Sequence, residues 1–150
     1  MRLSDLLTPQ LIKMELESTD REGVFEELVS LMLRQGVIHD REQALAKLRE
    51  REAKMSTGIS HGLALPHGKL SEVNGVAMCV GISREGIDYG SLDHEPVHVV
   101  VMVFSETGNP GPHIQALSEI ARMFGNDGFM RQVRGARSAE EILRLIRGEE

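Results

Sequence analysis

Val97-His98-Val99-Val100-Val101-Met102-Val103-Phe104 is apolar at every position but one. A strand with one wet face alternates apolar and polar residues. This run offers water neither side, so it predicts a central strand covered by other elements on both faces. Upstream, Gly75 to Ile82 sets Val76, Met78, Val80 and Ile82 against Ala77, Cys79 and Gly81, a strand with a bulky and a small face. The cover must then come from helices. Asp20 predicts the N-cap of a helix over Arg21 to Gln35, with Val24, Leu28, Leu31 and Met32 on one face and Gly36 as its stop. Asp40, with Gln43 three residues on, resembles a capping box for a second helix carrying Ala44, Leu45 and Leu48 inward. Gly108-Asn109-Pro110-Gly111-Pro112 reads as a loop that no helix occupies, opening a third helix with Ile114, Leu117, Ala121 and Phe124 as its stripe. Ser138, with Glu141 at the third helical position, caps a last helix bearing Ile142, Leu145 and Ile146. The predicted fold class is an α/β sandwich, a short buried sheet with helices on both faces.

No internal repeat, low-complexity tract or linker divides the sequence, so residues 1–150 are expected to form one domain. The apolar fraction of 41% and the charged fraction of 27% are those of a soluble globular protein. A net charge of −6 argues against a partner with a phosphate backbone, and four Phe, one Tyr and no Trp leave no platform for stacking bases. Nucleic acid is therefore not an expected partner. The lone Cys79 excludes an internal disulfide and sits in an apolar run, where it reads as a small core residue. No apolar segment approaches the ~18 residues of a membrane span. Met1-Arg2-Leu3 leads straight into Ser4-Asp5 rather than into the apolar region of a signal peptide. A cytoplasmic protein without membrane insertion is expected.

Between the second helix and the first strand lies Ser56-Thr57-Gly58-Ile59-Ser60-His61-Gly62-Leu63-Ala64-Leu65-Pro66-His67-Gly68-Lys69. Three glycines, a proline and two histidines in fourteen residues build a tight bend, and Pro66 fixes the chain just before His67. Three side chains converge on this end of the scheme. His67 ends the bend. His113 lies in the first turn after Pro112, on the edge shared with Leu117 and Ile120, so it faces the sheet. Arg51 lies three residues past Leu48, inward and near the end of its helix.

Phosphoryl transfer is the chemistry that wants this set. An imidazole accepts the group, a guanidinium offers paired donors to its oxygens, and backbone N–H groups of a glycine-rich bend cradle the rest. Thr57, Gly58, Gly62 and Gly68 are the candidates for that cradle. A histidine near a helix N-terminus tends to stay neutral and so donates one hydrogen bond. Taken singly, each residue also has a plain reading: Arg51 as a complement to the helix dipole, His113 as a surface residue, His67 as a structural part of a bend. His61 with His67, or His94 with His98, could be called metal pairs. The second pair spans a turn rather than one helical face and no thiolate joins it, so neither a metal nor any cofactor is expected.

Arg51-Glu52-(x)4-Thr57-Gly58-Ile59-(x)2-Gly62-(x)-Ala64-(x)-Pro66-His67-Gly68-Lys69 resembles the active-site motif of enzyme IIA of the fructose–mannitol class. That protein is a component of the bacterial phosphoenolpyruvate-dependent phosphotransferase system. The likeness continues through Ile87-Asp88, Leu92-Asp93-(x)-Glu95-Pro96-Val97, His113-Ile114-(x)2-Leu117-(x)2-Ile120-Ala121-Arg122 and Ala136-Arg137-Ser138-(x)-Glu140-Glu141, essentially the whole chain. It implies a mixed sheet flanked by helices. It implies that His67 accepts a phosphoryl group on Nε2 from the histidine-containing phosphocarrier protein, with Arg51 binding phosphate and His113 as the second active-site histidine. His61 and Gly90 depart from the family pattern, and Ser105 stands where proline is common. Two roles follow from the resemblance. The nitrogen-regulatory type, whose phosphorylation state switches binding to a regulatory target protein, is favoured by Pro66-His67-Gly68-Lys69-Leu70 with Val73 and Gly75, and by the lack of a fused IIB or membrane domain. The alternative is a sugar-specific component that passes phosphate to a IIB domain for sugar uptake.

Overall fold

The structure, a computed structural model, describes all 150 residues. Two 3₁₀ turns, Leu3–Leu6 and Pro9–Leu11, lead into the short strand β1 (Ile12–Lys13). Two helices follow, α1 (Arg21–Arg34) and α2 (Arg41–Glu52), then the strands β2 (Leu63–Ala64), β3 (His67–Leu70), β4 (Val76–Ile87) and β5 (Val97–Glu106). Helices α3 (Pro110–Phe124), α4 (Asp127–Gly135) and α5 (Ala139–Glu149) complete the chain. No helix is long and apolar enough to cross a membrane.

The sheet runs β1-β4-β5-β2, with β3 also on β5. It is mixed: β1 runs parallel to β4, β4 antiparallel to β5, and both β2 and β3 parallel to β5. The valine run is its centre, as its composition predicts. Val99 through Phe104 are fully buried, each such side chain contributing about 1.5–3 kcal/mol over an exposed one. β2 and β3 are two pieces of one edge, interrupted at Leu65-Pro66. Leu65 turns its N–H away to the Thr57 carbonyl (2.9 Å), and Pro66 has none to give. The Pro66 carbonyl still accepts from Val103 at 3.0 Å, so the chain is pinned to β5 directly before His67.

Helices cover both faces. A Cβ on Gly68 would meet the Lys47 Cβ of α2 at 2.9 Å, so Gly68 faces α2. Its neighbour Lys69, in register with Ser105 of β5, faces the opposite side by strand alternation, and there Ser105 meets His113 of α3. The buried apolar residues form one contiguous core of 42 side chains.

The helix starts lie where their caps predict. Asp20 accepts from the Gly23 N–H (2.8 Å), Asp40 from Gln43 (3.0 Å) and Ser138 from Glu141 (3.1 Å), each worth about 1 kcal/mol. The capping box at Asp40 is closed differently, because its own N–H donates to Glu72 at 3.1 Å rather than to Gln43. Three expectations are corrected. Residues 110–112 are not a loop: α3 starts at Pro110, because the first helical N–H groups have no intrahelical partner and a proline there loses nothing. Packed on the sheet, α3 buries Ala116, Ile120, Met123 and Phe124 and leaves Ile114 and Ala121 exposed. β4 runs on to Ile87 through a register shift after Ile82. The sequence reading assigned no element to Asp127–Gly135, which is a helix capped by Asn126 accepting from Phe129 at 2.9 Å and burying Phe129, Met130 and Val133.

Candidate functional site

The sheet edge at β3 opens into a cleft of about 330 Å³ between α2 and α3. His67 starts β3 immediately after the Leu65-Pro66 break, and its Nδ1–H donates to the Leu65 carbonyl at 2.8 Å. That bond fixes the ring and assigns its proton, leaving Nε2 as the nitrogen with a free lone pair. The last turn of α2 brings Arg51 to the cleft, where one Nη1–H donates to the Met55 carbonyl at 2.8 Å. A guanidinium has five donors, so four remain. The first turn of α3 brings His113, whose ring centroid stands 5.4 Å from that of His67 with the planes tilted by 55°.

The rest of the lining is cationic. Lys47, Lys54 and Lys69 join Arg51, with Glu50 the one carboxylate, in a chain whose net charge is −6. Burial and the nearby Arg51 charge hold the His67 imidazole below its ordinary value, outweighing the Leu65 carbonyl and Glu52, which act the other way. Burial, then His67 and Lys69, likewise lower His113. Both rings are therefore neutral at neutral pH: one with its free Nε2 lone pair on the cleft wall, beside a second that carries a single proton.

The structure brings His67, His113, Arg51 and Gly68 together. Thr57, Gly58 and Gly62 do not line the cleft. Thr57 is buried, its N–H and hydroxyl both committed to the carboxylate of Glu52 at 2.7 and 2.6 Å, with the Tyr89 hydroxyl 2.7 Å from its Oγ1. Gly58 is wedged against Ser91 and Tyr89, where a Cβ would stand 2.3 Å from Ser91 Oγ. Gly62 takes φ +79 at the far end of β5. It lines a separate hollow of about 410 Å³ with His61 and His98. No group of three or more His, Cys, Asp or Glu side chains gathers where it could hold a metal ion.

The reading of the sequence passed over Glu52, which ties the end of α2 to the bend, and the lysines. A signal for the latter exists: Lys47 and Arg51 lie four apart on one face of α2, and Lys54 follows just past its end. Ser105 it noted only as standing where proline is common, not as the residue whose hydroxyl meets His113 Nδ1. Neighbours that are distant in sequence leave no such trace.

Residues 5–148 match the family model described as phosphoenolpyruvate-dependent sugar phosphotransferase system, EIIA 2. The fructose-specific EIIABC component of Bacillus subtilis is 34% identical over 146 residues, 97% of this chain but only 23% of that much longer protein. The nitrogen regulatory protein of Bradyrhizobium diazoefficiens is 26% identical over 147 residues, covering 97% of this chain and 95% of the relative. Among solved structures, the nitrogen regulatory protein IIA-Ntr from Neisseria meningitidis shares the fold. It matches with a TM-score of 0.89 at 24% identity, over 96% of this chain and 98% of that one.

Proposed function

The chain belongs to the EIIA 2 family of the phosphoenolpyruvate-dependent sugar phosphotransferase system, and on that premise we propose that His67 is the residue that carries its phosphoryl group. The reading rests on one observation above the others. The Leu65 carbonyl takes the Nδ1 proton of His67 at 2.8 Å, so the nucleophilic lone pair belongs to Nε2. The donor is the histidine-containing phosphocarrier protein. As the bond from phosphorus to the donor's imidazole breaks and its electron pair returns to that ring, the bond from His67 Nε2 to phosphorus forms. Arg51 offers its four free donors to the phosphoryl oxygens and His113 offers one, and neither is covalently modified.

Downstream, the protein acts in the cytoplasm as a phosphorylation-dependent regulator of the nitrogen-regulatory type. Full-length similarity to a nitrogen regulatory protein supports this role. A partner that buries unmodified His67 would have to desolvate the new charge, and a coupling of only ~1.4 kcal/mol changes its affinity tenfold. The second reading, transfer to a IIB domain and on to sugar, draws on the higher identity to the fructose-specific component.

Incubation with phosphoenolpyruvate, enzyme I and the phosphocarrier is expected to add one acid-labile phosphoryl group to the parent and none to His67→Ala. Label on His67→Ala would remove the assignment. Addition of a IIB protein and fructose separates the two roles. Rapid passage of phosphate to sugar would establish uptake, whereas a protein partner lost from His67→Glu but kept by His67→Ala would establish the switch.

A further inference from the structure

We infer that Ser105 is a positioning residue: its hydroxyl donates to Nδ1 of His113 and so keeps the proton of that ring on Nε2, the nitrogen available to the phosphoryl group. This rests on the reading of His67 as the phosphoryl acceptor. Ser105 is fully buried in β5, in register with Lys69 on one side and Val76 on the other. The one partner its hydroxyl has is Nδ1 of His113.

The direction of that bond follows from what each alternative leaves unsatisfied. If Nδ1 carried the proton and donated to Oγ, the serine O–H would have no acceptor inside the protein, and a buried donor without an acceptor costs about 1–3 kcal/mol. If the serine donates, only oxygen lone pairs go unfilled, which structures tolerate more readily. The half-buried His113 ring, on the cleft wall, then has its Nε2–H where water or a ligand can accept it. A neutral ring has one proton to place, and the neutrality of His113 has its own causes in burial, His67 and Lys69. With the proton on Nε2 the ring is a donor beside His67. With it on Nδ1 the ring would aim a lone pair at phosphoryl oxygens and repel them.

The experiment uses the full chain labelled with ¹⁵N. Long-range ¹H–¹⁵N spectra distinguish a bare ring nitrogen from a protonated one, and the same samples are assayed for phosphoryl acceptance from the phosphocarrier. In the parent, Nδ1 of His113 is expected to be bare and Nε2 protonated. Ser105→Ala is expected to show both tautomers and to accept phosphate about five- to tenfold more slowly, the effect of one neutral hydrogen bond. Ser105→Thr, which retains the hydroxyl, is expected to restore the single tautomer. A parent spectrum with the proton on Nδ1 overturns the inference without recourse to any variant. So does a Ser105→Ala protein with an unchanged tautomer, or with an unchanged rate. A parent that shows the Nε2 proton yet takes no phosphoryl group overturns the carrier reading and supports the hold of Ser105 on the ring.

Discussion

At the scale of single residues, the site works by committing some atoms so that others are free. One backbone carbonyl takes the His67 Nδ1 proton, which leaves the Nε2 lone pair free. Arg51 commits one donor to Met55, just past the end of its own helix, and keeps four. Because that anchor is local and the side chain lies outside the apolar core, Arg51→Ala is expected to fold as the parent does. It should nevertheless lose about 10²–10³ in phosphoryl transfer, the usual effect of removing a charged donor from a partly desolvated site. Transfer at the parent rate would reduce Arg51 to a complement of the helix dipole. Single-turnover acceptance from the phosphocarrier, with thermal melting as the control, measures both.

At the scale of elements, the cleft depends on how closely α2 approaches the sheet edge. Gly68 makes that approach possible through its missing Cβ: an added carbon would stand 2.9 Å from Lys47 Cβ and 3.4 Å from the Lys47 backbone carbon. Neither neighbour is the flexible end of a side chain, so the helix itself would have to move. Gly68→Ala is expected to cost about 1–3 kcal/mol, as overpacking does, and to slow transfer by displacing Arg51 relative to His67. Chemical denaturation reads the first effect, and parent stability in this variant would show that α2 has slack. The other tie between α2 and the site is Glu52, whose carboxylate gathers Thr57 and Tyr89. The bend is thereby braced from behind rather than by contacts inside the cleft.

For the whole molecule, burying two imidazoles links stability to pH. Both His67 and His113 are held below the ordinary value near 6.5 in the folded state, so the unfolded chain takes up protons first as the pH falls. Their contribution is complete above about 6.5 and is lost as the pH drops through the folded values. A separate acidic step belongs to Glu27. Burial pushes its carboxyl up, but Lys13 and the N–H groups of Glu17 and Ser18 prevail and bring it to about 2. Its share is therefore lost only between the usual carboxylate range and that value. The melting temperature is expected to fall between pH 7.5 and 5.5 in the parent, and less so in a His67→Gln, His113→Gln double variant. Equal profiles for the two proteins would dissociate the site from the fold's acid sensitivity.

Local sequence rules were enough for the central strand, three helix starts and the bend that carries His67. A valine run with no polar side had to be a covered strand, Asp20, Asp40 and Ser138 had to start helices, and a proline before His67 had to fix that histidine on a bend. These are local properties, set by periodicity, capping and backbone freedom within a few residues. Tertiary structure decided what those residues touch. Thr57 and Gly58 belong to a bend that reads as a phosphate cradle, yet one is bound to Glu52 and the other packed against Ser91 and Tyr89, partners that chain spacing does not announce. Ser105 and His113 meet because β5 and α3 pack together, not because eight residues separate them. The face that α3 buries, too, was set by the sheet it must cover. Contacts between elements depend on how close their backbones come and on which nitrogen or oxygen is already taken, and only the assembled fold fixes either.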